Sequence, residues 1–343
     1  MKIKRQVLVD ILAAVKPGLA KKAIVEQSTH FVMTGNEVIT YNDRICISHP
    51  FKTDFHCSVS AEELYKILVG ISHEEIDFEF KDQKIHIKGK GFNAGLATDT
   101  GENILKMVGL LDLKEANEIK KPLPVDFIEA ITMCMFSASK DLTNPGMACL
   151  LVENQYVAST DDLRISEYKM KSKMDCSILL PASSAVELVR FAVDQYVVSK
   201  DNAWIHFFGK NGVCFSSRLV EADFPPYSKF LEGFDSSEIK LPDNVKQMVE
   251  TASVLTEGEI SLDKEINIEI KDGLLRVKGQ NNIGWIESEI EVNFKNADSI
   301  QFGVNPFFML KIMDHTKSMF YGGNKILFQS GEFKHVIALR IPE

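Results

Sequence analysis

The sequence predicts an α+β protein made of three tandem units, each reading helix, strands, helix, strands. Three observations lead there: turn-flanked strand pairs recur at a long period, one-sided helical stripes recur at the same period, and the strand runs alternate apolar with polar residues. Self-similarity at a long period decides architecture before any single motif does. Alternation leaves one sheet face wet, and helices covering the other complete an α+β layer.

The first hairpin of each unit has apolar-alternating runs around a turn. One is His30-Phe-Val-Met-Thr-Gly35-Asn36-Glu-Val-Ile-Thr-Tyr41, the next Leu150-Leu-Val-Glu-Asn154-Gln-Tyr-Val157, the third Ile266-Asn-Ile-Glu-Ile-Lys-Asp272-Gly273-Leu-Leu-Arg-Val277. Turn positions 35, 154 and 272 are 119 and 118 residues apart. A later hairpin turns at Asp82-Gln83, at Asn211-Gly212 and near Gly331, with spacings of 129 and 120 from positions 82, 211 and 331. Surface loops of unequal length account for the looser agreement.

Helical stripes keep the period. Val7, Leu8, Ile11, Leu12 and Val15 form the first; Phe127, Ile128, Ile131 and Met135 the second; Val245, Met248, Val249 and Ala252 the third. A second helix per unit carries Leu64, Ile67, Leu68 and Ile71, then Ala185, Leu188, Val189 and Ala192, then Phe308, Met309, Ile312 and Met313. Ser60, Pro181, Pro242-Asp243 and Asn305-Pro306 mark helix starts. The units are expected at residues 1–118, 119–232 and 233–343.

A chain of 343 residues exceeds one comfortable domain, and 45% hydrophobic with 25% charged residues describes an ordinary globular protein. No apolar run approaches the ~20 residues that span a bilayer. Met1-Lys2-Ile3-Lys4-Arg5-Gln6 is followed by Asp10 and Lys16, with no clean apolar core, so it reads as the first strand and helix and not as a leader. Cysteines 46, 57, 134, 149, 176 and 214 form no CxxC pair and fit reduced, mostly buried thiols in a cytoplasm. A net charge of −9 argues against coating nucleic acid by bulk attraction; any such contact needs a local basic surface.

No constellation for catalysis emerges. Cys46, His49, His56 and Cys57 lack zinc-site spacing and read as strand, turn, strand. Thr160-Asp161-Asp162 has no further acid or histidine placed near it by any motif. Gly89-Lys-Gly91 and Gly322-Gly323 are not followed by the Lys-Ser/Thr of a phosphate loop. The sequence reads as a non-enzyme without metal or cofactor.

Three fragments carry a resemblance. They are Ser217-Arg218-Leu219-Val220-Glu221-Ala222-Asp223-Phe224-Pro225-Pro226-Tyr227, then Ala158-Ser-Thr160-Asp161-Asp162-Leu163-Arg164-Ile165, then Val304-Asn305-Pro306-Phe307. With the C-terminal strand, they resemble the bacterial DNA polymerase III β sliding clamp family, in that family's order. The first unit matches mainly by helix and strand pattern.

The resemblance implies three tandem DNA-clamp domains, each with two helices and two small antiparallel sheets, and a head-to-tail homodimer closing a ring around duplex DNA, which tethers the replicative polymerase in the cytoplasm. It implies as partners double-stranded DNA, the DNA polymerase catalytic subunit, an ATP-driven clamp loader and repair factors with short apolar clamp-binding peptides. Val254 and Leu255 match the family's apolar junction positions, and domain core is the other reading of both. A sliding ring needs basic residues on its helices and few base contacts. Candidates are Arg5, Lys21, Lys22, Lys66, Arg190, Lys200, Lys246, Lys311 and Lys317. The same helices carry Glu62, Glu63, Glu187 and Glu250, so a plain solvated face is the competing reading. The partner-peptide pocket, carried over by motif, comprises Thr160, Asp162, Leu163, Arg164 and Ile165; Pro225, Lys229 and Phe230; and Val336, Ala338 and Leu339.

Departures bear on peptide preference. Asp162 stands where the family has Gly, Leu163 where it often has His, and Pro226 where it has Asp. The loop Lys140-Asp-Leu-Thr-Asn-Pro145 lacks an aromatic pair, and the ending Ala338-Leu-Arg-Ile-Pro342-Glu343 differs. A divergent clamp, phage-borne or from a mobile element, would look like this. The alternative is a clamp-like scaffold that binds peptides without encircling DNA.

Overall fold

The structure, a computed structural model, describes residues 1–22, 25–235, 237–257, 262–294 and 299–340, the side chains of residues 114 and 117 excepted. The divergent ending Ile341-Pro342-Glu343 lies outside the described residues. One order of elements runs through the chain three times. The first repeat is β1 (Lys2–Lys4), α1 (Arg5–Val15), β2 (His30–Met33), β3 (Glu37–Tyr41), β4 (Ile45–Pro50), β5 (Cys57–Ser60), α2 (Ala61–Gly70), β6 (Glu75–Lys81), β7 (Lys84–Gly89) and β8 (Phe92–Asp99). Two helices that the periodicity did not announce follow, α3 (Glu102–Gly109) and α4 (Leu113–Glu118). The second repeat is β9 (Lys121–Pro122), α5 (Phe127–Cys134), β10 (Cys149–Thr160), β11 (Arg164–Pro181), α6 (Ala182–Leu188), β12 (Val193–Val198), β13 (Trp204–Gly209) and β14 (Cys214–Arg218). The third is β15 (Ile239–Lys240), α7 (Val245–Ala252), β16 (Ile266–Lys271), β17 (Leu274–Gln280), β18 (Trp285–Glu291), β19 (Ile300–Val304), α8 (Pro306–Met313), β20 (Ser318–Tyr321), β21 (Lys325–Ser330) and β22 (Phe333–Ala338).

The hairpin turns fall where the sequence put them. Gly35, Asn154, Asp272 and Gly273 take positive φ, as do Asp82, Gln83, Gly212 and Gly331. Hairpins between right-twisted strands need this left-handed backbone, which Gly, Asn and Asp tolerate best. The helices are short and one-sided. α1 buries Leu8, Val9, Leu12 and Val15, while Val7 of the expected stripe faces out. α5 buries Phe127, Ala130, Ile131 and Cys134 and tightens into a 3₁₀ turn, Met135–Ser137. α6 stops at Leu188, short of the expected Ala192. At the start of α8 the Asn305 side chain accepts from the backbone N–H of Phe307 at 2.9 Å, an N-cap. Ser60 before α2 instead donates its hydroxyl to Glu63, which holds that carboxyl below its ordinary range.

The chain forms two compact units, residues 1–125 with 180–221 and residues 126–179 with 222–343. The second repeat is thus shared between them, and strand pairing is the reason. In the first unit β14 pairs with β4, setting Phe215 opposite Ile47. In the second β22 pairs with β11, setting His335 opposite Ser166. The first unit's sheet runs β1-β6-β7-β8-β5-β2-β3-β4-β14-β13-β12-β9. The second unit has one sheet β10-β11-β22-β21-β20-β15 and another β18-β17-β16-β19. α3 is no mere linker: Ile104 and Leu111 join Val32, Ile39, Tyr41, Cys46 and Trp204 in a buried cluster. Among the described residues no helix is long and apolar enough to cross a membrane.

Candidate nucleic-acid and partner-peptide sites

A turn that recurs in all three repeats organises the candidate residues from Thr160 to Ile165. Asn42 accepts from the backbone N–H groups of Arg44 and Ile45, Asp161 from those of Leu163 and Arg164, and Asn281 from those of Ile283 and Gly284. An Asx side chain closing its own turn fixes where the following strand begins. Asp162, where the family has Gly, takes φ 70°, the left-handed conformation that Gly would supply and Asp tolerates. Its N–H donates to Thr160 Oγ1, and that hydroxyl donates to the Arg164 carbonyl at 2.8 Å.

Arg164 is the most heavily engaged side chain here. Its Nε donates to Asp161 Oδ2 at 2.9 Å, and its guanidinium lies 4.2 Å from the centre of the Phe308 ring and 5.7 Å from that of Phe136. Burial pushes the Asp161 carboxyl up, outweighing the pull of Arg164. Ile165 and Val336 face each other across the β11–β22 ladder and are buried. Around them the apolar surface opens: Leu163 is 41% and Phe230 55% exposed, and Ala338 is exposed too.

Three stretches of the second unit are tied together at this place. The Ala338 N–H donates to the Leu163 carbonyl at 2.9 Å. Lys325, the cross-strand partner of Ala338, donates from Nζ to the Phe230 carbonyl at 3.1 Å. The segment carrying Pro225 and Lys229 is anchored by Tyr227, whose hydroxyl donates to Glu167 Oε2 at 2.9 Å and whose ring meets Phe224 edge-on. The structure therefore brings Leu163, Phe230 and Ala338 together as an apolar rim over Ile165 and Val336. Leu339 is half-buried and donates its N–H to Asn324, just beyond the rim.

The basic candidates divide. Lys66 pairs with Glu62, Lys200 with Glu115, Lys246 with Asp314, Lys317 with Asp243, and Arg190 with Glu187 at 2.8 Å. Arg5 donates to the Leu68 and His73 carbonyls, which ties α1 to the end of α2. Lys311 lies 6.0 Å from the Phe136 ring centre. Lys21 and Lys22, after the first helix, are exposed, and among the described residues no ion pair engages either. Exposed pairs are weak and are readily exchanged for phosphate, so pairing does not remove the other lysines from the set. Val254 is 74% exposed, Leu255 is half-buried, and among the described residues β18 is an edge strand of its sheet.

Sequence reasoning missed the triple Asx turn, although Asn42, Asp161 and Asn281 repeat at 119 and 120 residues. It also missed the stacking of Arg164 on Phe308, for which no local signal exists. Cys46, which fell near His49, His56 and Cys57 in sequence, is core, and burial beside Cys214 pushes its thiol well up. Among the described residues no group of three or more His, Cys, Asp or Glu could hold a metal ion.

No protein-family model matches the chain. The β sliding clamp of Rickettsia bellii (strain RML369-C) is 22% identical over 215 residues, 56% of this chain and 56% of that protein, so the match spans just over half of the relative. Solved structures match over the whole length. The DNA polymerase sliding clamp from Bacillus subtilis has a TM-score of 0.83 at 16% identity, covering 100% of this chain and 99% of that one. The β subunit from DNA polymerase of Streptococcus pyogenes has a TM-score of 0.84 at 14% identity, covering 99% of each. The DNA polymerase III β subunit from Thermotoga maritima has 0.81 at 14% identity, covering 100% and 99%. The chain has the fold of these sliding clamps from end to end.

Proposed function

We propose that this chain is a DNA sliding clamp, a non-catalytic homodimeric ring that encircles duplex DNA and tethers a replicative polymerase. The observation that carries the proposal is the clamp fold over the full chain, with its strand, helix and turn pattern repeated three times. Topology rather than grip would keep such a ring on DNA, so a net charge of −9 is compatible with the role provided that the DNA-facing helices are locally basic. Lys21 and Lys22 are the leading DNA contacts, with Arg5, Lys66, Arg190, Lys200, Lys246, Lys311 and Lys317 as secondary ones.

In this reading, domains 1–118, 119–232 and 233–343 make half the ring, and Val254 and Leu255 help to close it. The exposure of Val254 and the edge position of β18 support a contact there. The rim of Leu163, Phe230 and Ala338 receives short apolar peptides from the polymerase, the clamp loader and repair factors, the buried Ile165 and Val336 forming its floor. The buried thiols of Cys46, Cys57, Cys134, Cys149 and Cys214 suit a reducing cytoplasm.

Sedimentation at micromolar concentration tests the ring. The expected particle has about twice the mass of the 38.5 kDa chain, and Val254→Glu halves it. A wild-type monomer under these conditions would overturn the proposal.

A further inference from the structure

The two units solve the same packing problem with side chains of different size, and one is left with a hole. Register fixes the correspondence. Asn42 and Asp161 open the same turn, so Ile47 answers to Ser166 and His49 to Tyr168. Across the ladder Val213, next to Cys214, answers to Phe333. The 3₁₀ turn Lys16–Gly18 answers to Met135–Ser137, so Pro17 stands for Phe136 and Ala14 for Met133. Ten residues on from the helix N-caps Pro181 and Asn305 stand Phe191 and His315.

At four of the positions just paired the second unit has the larger group: Met133 against Ala14, Phe136 against Pro17, Tyr168 against His49, Phe333 against Val213; at the platform it has the smaller one, His315 against Phe191. There the Phe136 ring lies flat on His315, centroids 5.6 Å apart and planes 8° from parallel. In the first unit the corresponding space is a cavity of about 290 Å³, lined by Ala14, Pro17, His49, Phe191 and Val213. Phe191, in the place of the stacking His315, is held against Phe215 with centroids 5.4 Å apart, so the platform is in position.

The wall also carries polar groups. Arg190 and Asn211 line the cavity. Arg190 spends one contact on Glu187, and a guanidinium has five N–H donors. The Asn211 side-chain oxygen accepts from the Val213 N–H, which leaves its NH₂ as donor. We propose that this cavity is a binding site for a small aromatic carboxylate: the ring stacks on Phe191 where the sister unit inserts its own Phe136, and the carboxylate meets Arg190 and Asn211. At about 290 Å³ the cavity is at the low end for ligand sites and admits one ring, not a nucleotide.

Saturation-transfer NMR on the full chain with 3-phenylpropanoate and its neutral amide tests the site. The acid binds saturably with a Kd on the order of 1 mM, as suits a fragment of its size. Ala14→Met/Pro17→Phe, which copies the sister unit's filling, weakens it about tenfold or more. Arg190→Gln weakens the acid about threefold and leaves the amide unchanged, as losing one exposed charge contact should. His49→Tyr, a single change, gives the same loss in direction if the double variant does not fold. Absence of saturation with the wild type, binding undiminished in the filled variants, or an amide that binds as well as the acid overturns the proposal.

Discussion

The two sheet junctions, β4–β14 in the first unit and β11–β22 in the second, share a register and differ in chemistry. In the first, Phe215 lies opposite Ile47, both fully buried. In the second the same places hold His335 and Ser166, also fully buried. His335 Nδ1 lies 2.8 Å from Ser166 Oγ, and Ser166 Oγ lies 2.7 Å from Ser137 Oγ, where the first unit has Gly18. His335 Nε2 is buried with no hydrogen-bond partner. At this register position one junction sets two apolar side chains together and the other a buried polar chain beside Arg164, although the first also buries a polar pair one residue along, His206 Nδ1 lying 2.8 Å from Ser216 Oγ. A repeat thus preserves register strictly while leaving core chemistry free.

The comparison can be broken or sharpened in order of expected effect. Phe215→Ala removes a large buried ring and should destabilise by about 3–5 kcal/mol in urea unfolding. A loss under about 1 kcal/mol would mean that the apolar junction is not what holds that unit. Ser166→Ala removes the short contact from both the imidazole and the Ser137 hydroxyl and leaves them only their long mutual one at 3.4 Å, for an expected loss of about 1–3 kcal/mol. By contrast, Ser137→Gly/Ser166→Ile/His335→Phe, which copies the first junction, should fall within about 1 kcal/mol of wild type, because both partners are removed together.

Acid should separate the junctions next. Burial, with Arg164 and His315 nearby, holds His335 well below its ordinary value, and burial holds His206 of the first unit down to about 4. Both are neutral when folded, whereas the unfolded chain takes up protons below about 6.5. Stability is therefore full above about 6.5 and falls as pH drops towards 4. Each such histidine adds about 1.4 kcal/mol per pH unit to the slope in that window. Melting curves across it should show a shallower decline for the triple variant; identical slopes would remove His335 from the account. The smallest effect is expected at the turn. Asn281→Asp matches Asp161, keeps the oxygen that accepts from the Ile283 and Gly284 N–H groups and should change stability by less than about 1 kcal/mol.

How far this was legible in the sequence follows from the range of each interaction. Turns at Gly35, Asn154 and Asp272 depend on single residues and neighbours, and they were found. Amphipathic helices were found for the same reason, with errors only at ends such as Leu188. The contact of β14 with β4 joins residues such as Phe215 and Ile47, far apart in sequence and both plain apolar, so nothing local announced it. His335 and Ser166 are separated by 169 residues, and Ser137 by 29 more. α3 had a signal in Ile104, Leu105 and Val108, but it falls between repeats and was invisible to a search by period. Among the site residues, those in a contiguous motif, such as Thr160 to Ile165, came out together. The basic residues did not separate, because whether a lysine is paired depends on a carboxylate that need not be near it in sequence, as Asp243 is not for Lys317.

The tethering role stands or falls on whether DNA topology holds the protein. Loaded onto a nicked circular duplex by a clamp loader, the protein should co-migrate with the circle through a sizing column in moderate salt and be released when the circle is cut to a linear form. Equal retention on circle and line, or none on either after loading, would contradict encirclement.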